Sequence, residues 1–193
     1  MVKIKVCGMT NLDDCLKAQE LGIDFVGFVF YRRSVRSVTP HDVRKMREAI
    51  GPSITTIGVF VEESDEEMHR IVDYCGLDYA QVYRESTLRR TIRVFRVAHS
   101  LPSCLPREGL MLFDSNTDAI GGSGQAFPLR LVAGGSFLDR AFIAGGINEH
   151  NVADVLRLKP FGVDLVSSLE AHPGKKDHER MERFVKIVRS LDS

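Results

Sequence analysis

One feature limits the folds open to this chain more than any other. Short apolar runs of strand length and segments with apolar residues at helical spacing follow one another about eight times. Strands are expected over 2–6, 24–31, 54–61, 77–82, 92–97, 110–113, 141–144 and 162–166. In the first, Val2, Ile4 and Val6 share a face at period two, and Cys7 stands where the strand should stop. The run 24–31 (DFVGFVFY) is almost continuously apolar, as a strand covered on both faces should be. Helices are expected over 12–21, closed by Gly22, and from Pro40 to about 50, with Thr39 as cap and proline at the first position. A third runs over 65–75, capped by Ser64 and stopped by Gly76, and two more span 148–158 and 177–191.

The middle of the chain is thinner. A brief helix is expected over 87–90, a fragment over 101–106 limited by two prolines, and either a short helix or a loop over 128–137. Alternating strands and helices imply a parallel α/β protein, and eight units imply a compact (β/α)8 TIM barrel with short or irregular helices around units four to six. The expected domain is a single one, residues 1–193. The competing architecture is an open doubly wound sheet. Against it, the first strand–helix turn, Cys7-Gly8-Met9-Thr10, lacks G-x-G-x-x-G, and the glycine-rich turns come late, after strands six to eight.

Composition narrows the functional classes. Formal net charge is zero, which argues against a nucleic-acid binder held by phosphate contacts and against a polybasic membrane patch. Apolar runs fall short of a membrane span, and the chain enters a charged, alternating strand at once, unlike a signal peptide. The four cysteines, Cys7, Cys15, Cys75 and Cys104, include no C-x-x-C pair, so a reduced, cytoplasmic protein is expected. The six histidines show no metal-ligand spacing, and there is neither a G-x-S-x-G elbow nor a P-loop, so no metal site is expected. Monomer and homodimer both stay open.

Candidate chemistry sits at strand ends. Cys7 ends the first strand just before a helix, where barrel enzymes keep reactive groups. Asp114 ends the sixth, with no clear helix after it to cap. A thiol and a carboxyl across a barrel mouth can serve as base and acid. Cys15 and Cys75 belong to helices and Cys104 lies between prolines, so these read as structural. Three late turns can converge backbone N–H groups on an oxyanion: Gly121-Gly122-Ser123-Gly124, Ala144-Gly145-Gly146 and Ser167-Ser168. Any one could be a simple tight turn, but three in succession at one rim suggest a phosphate site. Arg36, in a loop with two other arginines, has the planar fork that suits a carboxylate.

Taken together, KVCGMT at 5–10, GFVFYRRSVRSVTP at 27–40, IGVFV at 57–61, LFD at 112–114, GGSGQAF at 121–127, FIAGGIN at 142–148 and PGKKD at 173–177 resemble the phosphoribosylanthranilate isomerases of tryptophan biosynthesis. The resemblance spans nearly the whole chain in the family's order. It implies a compact barrel and a cofactor-free Amadori rearrangement of a small phosphosugar substrate, N-(5-phosphoribosyl)anthranilate, to a 1-deoxyribulose derivative. It further implies Asp114 as general acid, with a raised pKa, and Cys7 as general base, which depression of its pKa by the adjacent helix N-terminus would help. Arg36 would hold the anthranilate carboxylate. Gly122, Gly124, Gly145, Gly146, Ser167 and Ser168 would form the phosphate region, with Gln81, Tyr83 and Asp164 at the mouth. The chain departs from the family at two turns. Where the family often has Q-[LV]-H-G it has Gln81-Val82-Tyr83-Arg84, and in D-V-S-S-G-[VI]-E it puts Val166 in a serine place and Ser168 in the glycine place. Those departures motivate one rival, an isomerase of another phosphorylated aminosugar, told apart by indifference to the carboxylate; a second rival is a non-catalytic phosphosugar-binding homologue, told apart by failure to restore growth without tryptophan.

Overall fold

The computed structural model describes residues 1–115 and 127–192. Eight strands pair in chain order and close into a barrel: β1 (Lys3–Cys7), β2 (Phe25–Val29), β3 (Thr55–Phe60), β4 (Tyr79–Val82), β5 (Thr91–Val97), β6 (Leu110–Ser115), β7 (Ala141–Ile143) and β8 (Gly162–Leu165). All eight pairings are parallel, and the seam joins the chain's first and last barrel strands, with Lys5 opposite Asp164. Closure leaves no sheet edge and rules out the open doubly wound alternative. Helices α1 (Leu12–Glu20), α2 (Pro40–Ala49), α3 (Asp65–Cys75), α4 (Val152–Leu156) and α5 (His178–Leu191) wrap the outside.

The period-two pattern of the strands builds two apolar layers. Outward residues such as Ile4, Val6, Val26 and Phe28 pack with the helices, including Met68 of α3 and Met181, Phe184 and Val188 of α5. A smaller cluster around Cys7, Phe25, Ile57, Ile92, Leu112 and Phe142 fills the barrel itself. Lys5, between the apolar residues of β1, therefore turns inward and is 0% exposed, while Lys3 stays partly exposed and pairs with Asp24 at 2.8 Å.

Helix starts follow the sequence signals. Asn11, Thr39, Ser64 and Asp177 each accept a backbone N–H of the first turn, and Gly76 closes α3 in the left-handed conformation. Units four to six differ from expectation. Residues 87–90 are not helical, because Asp65 takes both the Thr87 N–H and its hydroxyl, each at 2.7 Å. Residues 101–106 form no helix either, as Pro102 and Pro106 lack the N–H a helix would use. Over 128–137 there is one 3-10 turn, Leu129–Leu131, and a second, Leu138–Arg140, lies just beyond. The helix expected over 148–158 shrinks to α4. The Asn148 N–H donates to Asn151 Oδ1 at 2.9 Å and both asparagine amides donate to the Gly146 carbonyl, so the segment begins as a turn. After β8 the chain makes an unforeseen hairpin, β9 (Glu170–His172) with β10 (Lys175–Lys176), before α5.

Candidate active site

Strand ends set the site. At the C-terminal mouth, a cleft of about 570 Å³ is lined by Cys7, Gly8, Arg36, Gln81, Tyr83, Asp114, Asp164 and Val166, among others. A second cleft, of about 390 Å³, shares Asp114, Asp164 and Val166 with the first and continues to Gly145, Gly146, Ser167 and Ser168. Ten of the twelve residues singled out from the sequence thus meet at one mouth; Gly122 and Gly124 lie outside the described residues.

Cys7 owes its position to two glycines. Gly27, its neighbour on β2, leaves room for the thiol, since a Cβ there would come within 2.7 Å of Sγ. Gly8 turns the chain at φ +75°, and a side chain there would strike Arg36 Cδ at 2.6 Å, so the arginine lies across the turn. Cys7 is 5% exposed. The lowering that would help a thiol base does not prevail: burial pushes the thiol up, and Lys5 only partly offsets this while Asp164 adds to it. The reason is that Cys7 belongs to the apolar barrel interior, whereas Asn11 caps α1 by accepting the Asp14 N–H at 3.0 Å.

Asp114 behaves as an acid should. Burial and then the Asp164 carboxylate push it up to about 6, against the pull of Arg96. Across the barrel seam, Lys5 Nζ donates to Asp164 Oδ1 at 2.8 Å, both buried. Burial works against the Lys5 ammonium, but Asp164 outweighs it and raises the lysine above its ordinary value. Tyr83 rises to about 12 through burial and then the Asp114 charge, so it acts as a hydrogen-bonding group and not as a titrating one. Arg84, the other departure in that turn, points away: it pairs with Asp65 at 2.7 Å and donates to the Glu63 carbonyl at 2.8 Å.

Two polar atoms at the mouth are buried without a protein partner, Gln81 Oε1 and Ser168 Oγ. Buried polar groups are nearly always satisfied, so both suit a ligand or water. Gly145, at φ +88°, packs against Ser115, where a Cβ would meet the Ser115 backbone nitrogen at 2.8 Å. Among the described residues no group of three or more His, Cys, Asp or Glu is arranged to hold a metal ion, and no helix is long and apolar enough to cross a membrane.

Three residues escaped the sequence reading. Lys5 lies opposite the apolar face of an alternating strand, a position that alternation alone does not mark as functional. Glu170 and Lys176 lie on the unforeseen hairpin, where Glu170 grips Arg36 through two bonds, from Nε to Oε1 at 2.8 Å and from Nη2 to Oε2 at 2.7 Å. Their available signal was a carboxylate and a lysine flanking Pro173-Gly174, a turn pair.

Comparison with known proteins agrees with this geometry. Residues 4–187 match the family pattern for N-(5'-phosphoribosyl)anthranilate (PRA) isomerase. The chain is 37% identical to N-(5'-phosphoribosyl)anthranilate isomerase of Pelobacter propionicus, over 100% of this chain and 98% of that one. The crystal structure of phosphoribosyl anthranilate isomerase from Thermotoga maritima superposes with a TM-score of 0.86 at 33% identity, covering 98% of this chain and 100% of that one. A phosphoribosyl anthranilate isomerase in complex with reduced 1-(o-carboxyphenylamino)-1-deoxyribulose 5-phosphate superposes with a TM-score of 0.82 at 30% identity, over the same shares.

Proposed function

Since this chain belongs to the N-(5'-phosphoribosyl)anthranilate isomerase family, we propose how its mouth residues divide the work of that reaction. The protein is an isomerase of tryptophan biosynthesis that converts N-(5'-phosphoribosyl)anthranilate to 1-(2-carboxyphenylamino)-1-deoxyribulose 5-phosphate. Asp114, protonated, gives its proton to the furanose ring oxygen as the C1–O bond breaks, and the substrate's own nitrogen pushes electrons into an iminium. Cys7, as thiolate, removes the C2 proton, and the resulting enaminol ketonises. No redox group is called for, because the hydrogen lost at C2 is balanced by one gained at C1.

The observation that carries this reading is the meeting of Cys7 and Asp114 in one cleft with Arg36, next to the Gly145–Ser168 cleft. Arg36 takes the anthranilate carboxylate, and Gly145, Gly146, Ser167 and Ser168 take the phosphate, with Gln81 and Tyr83 along the sugar. Buried Lys5 favours the thiolate that the base step needs. The enzyme acts on this small molecule in the cytoplasm as one domain of 193 residues, monomeric or homodimeric. Turnover of purified C7A and D114A, followed by anthranilate fluorescence, tests the assignment. Each should fall by about two to four orders of magnitude. Near-wild-type turnover in either removes that residue from its role.

A further inference from the structure

The β9–β10 hairpin puts one buried carboxylate against Arg36 and Lys176. Glu170 is 6% exposed and every contact of its carboxylate is directional. Oε1 accepts from Arg36 Nε at 2.8 Å, from Lys176 Nζ at 3.1 Å and from the Gly174 N–H at 3.2 Å, while Oε2 accepts from Arg36 Nη2 at 2.7 Å. Lys176, itself buried, donates to the Cys7 carbonyl at 2.7 Å and to the Val166 carbonyl at 3.3 Å. Its three partners lie on the ends of β1 and β8 and on the hairpin. Glu170 is thereby fixed to the barrel seam, and Arg36 is fixed to Glu170.

This geometry decides which edge of the guanidinium is offered. A guanidinium has five N–H donors in a plane. Glu170 takes the Nε–Nη2 edge, which leaves Nη1 and the second Nη2 hydrogen at the cleft that Arg36 lines. Without that grip, a long side chain across Gly8 has several rotamers to choose from and loses entropy on binding.

We propose that Glu170 is the positioning residue of the carboxylate clamp, presenting the outer edge of Arg36 to the substrate's ortho-carboxylate. The proposal rests on the reading of Arg36 given above. Glu170 touches no reacting atom and acts through Arg36.

The test compares KM and kcat on the anthranilate substrate and on its aniline analogue, which lacks the carboxylate, for wild type, R36A, E170Q and E170D. Glutamine keeps the shape of Glu170 but offers one acceptor where two are used. Aspartate keeps the charge but is one methylene short, and stands in if E170Q does not fold. In E170Q and E170D the preference for the carboxylated substrate, read as the ratio of KM values, should collapse by about 10- to 100-fold, with kcat on that substrate held within about threefold. A purely structural role would lower both substrates together. Wild-type discrimination in E170Q and E170D, alongside collapse in R36A, overturns this proposal and leaves the clamp reading standing. Wild-type discrimination in R36A overturns the clamp reading and the proposal with it.

Discussion

On the proposed mechanism, Asp114 and Cys7 carry opposite demands. One must hold a proton and the other must have lost it, yet burial raises both groups. With the carboxyl at about 6 and the thiol above it, the protonated-acid, ionised-base form is the minor one near neutrality. Below about pH 6 the acid is ready and thiolate grows with pH, so kcat/KM should rise. Above that, each gain in thiolate is matched by a loss of protonated Asp114, and the profile should flatten until the thiol itself titrates. A pH–rate series on wild type checks this; a steep fall starting at pH 6 would contradict it. The raised carboxyl also costs stability. Its folded pKa lies above the unfolded one, so the penalty is absent below about pH 4 and complete above about pH 6. D114N should therefore lose turnover and gain about 1–2 kcal/mol of stability at pH 7.5, measured by urea unfolding. The sequence made these two residues visible because each ends an apolar run. It hid Lys5, because a lysine between apolar neighbours looks the same whether it faces water or a buried carboxylate.

At the level of elements, caps and glycines made most boundaries readable. Thr39-Pro40 and Ser64 begin helices where expected, and Gly76 ends one. Ser64 Oγ accepts the Glu67 N–H at 3.2 Å, and S64A should lower stability by about 1 kcal/mol, seen as a shifted urea midpoint with unchanged m-value. The failures have a common cause. Residues 87–90, 101–106 and 148–151 lack a helix because side chains or prolines far from any apolar pattern decide the backbone's partners. The hairpin escaped for a related reason. Its strands of three and two residues are too short for periodicity, and its stability comes from Glu170, Lys176 and from Lys175, which pairs with buried Asp14 at 2.7 Å.

The whole molecule is held by contacts between its ends. Helix α5 buries Met181, Phe184 and Val188, and Arg189 donates to the Val2 carbonyl at 2.9 Å and to Asp24 at 3.0 Å. A chain truncated after Asp177 should lose its cooperative melt by circular dichroism, because the outer layer beside β1 and β8 would lie open. Three carboxylates in these long-range ties are held below their ordinary range despite burial: Asp14 by Lys175, Asp24 by Lys3 and Glu170 by Arg36. Their stabilisation is present above the unfolded pKa, about 4, and is lost as pH falls through the folded values. Asp114 works the other way between about 4 and 6. The melting temperature should accordingly peak near pH 5 and drop steeply below 4; a monotonic rise toward pH 8 would contradict the sign for Asp114, and an unchanged value below pH 4 the sign for the three tied carboxylates.

The seam between β1 and β8 has a consequence for a chain still on the ribosome. Cys7 lies on the first barrel strand, but its carbonyl is tied by Lys176 and the Arg36 guanidinium by Glu170, both of which follow the last barrel strand. A nascent chain that has emerged as far as β7 owns Asp114 and Cys7 but not the strut on the Cys7 carbonyl, nor the carboxylate that holds Arg36. A chain cut before this hairpin should therefore be inactive, with catalysis beginning once the hairpin reaches back to the first strand.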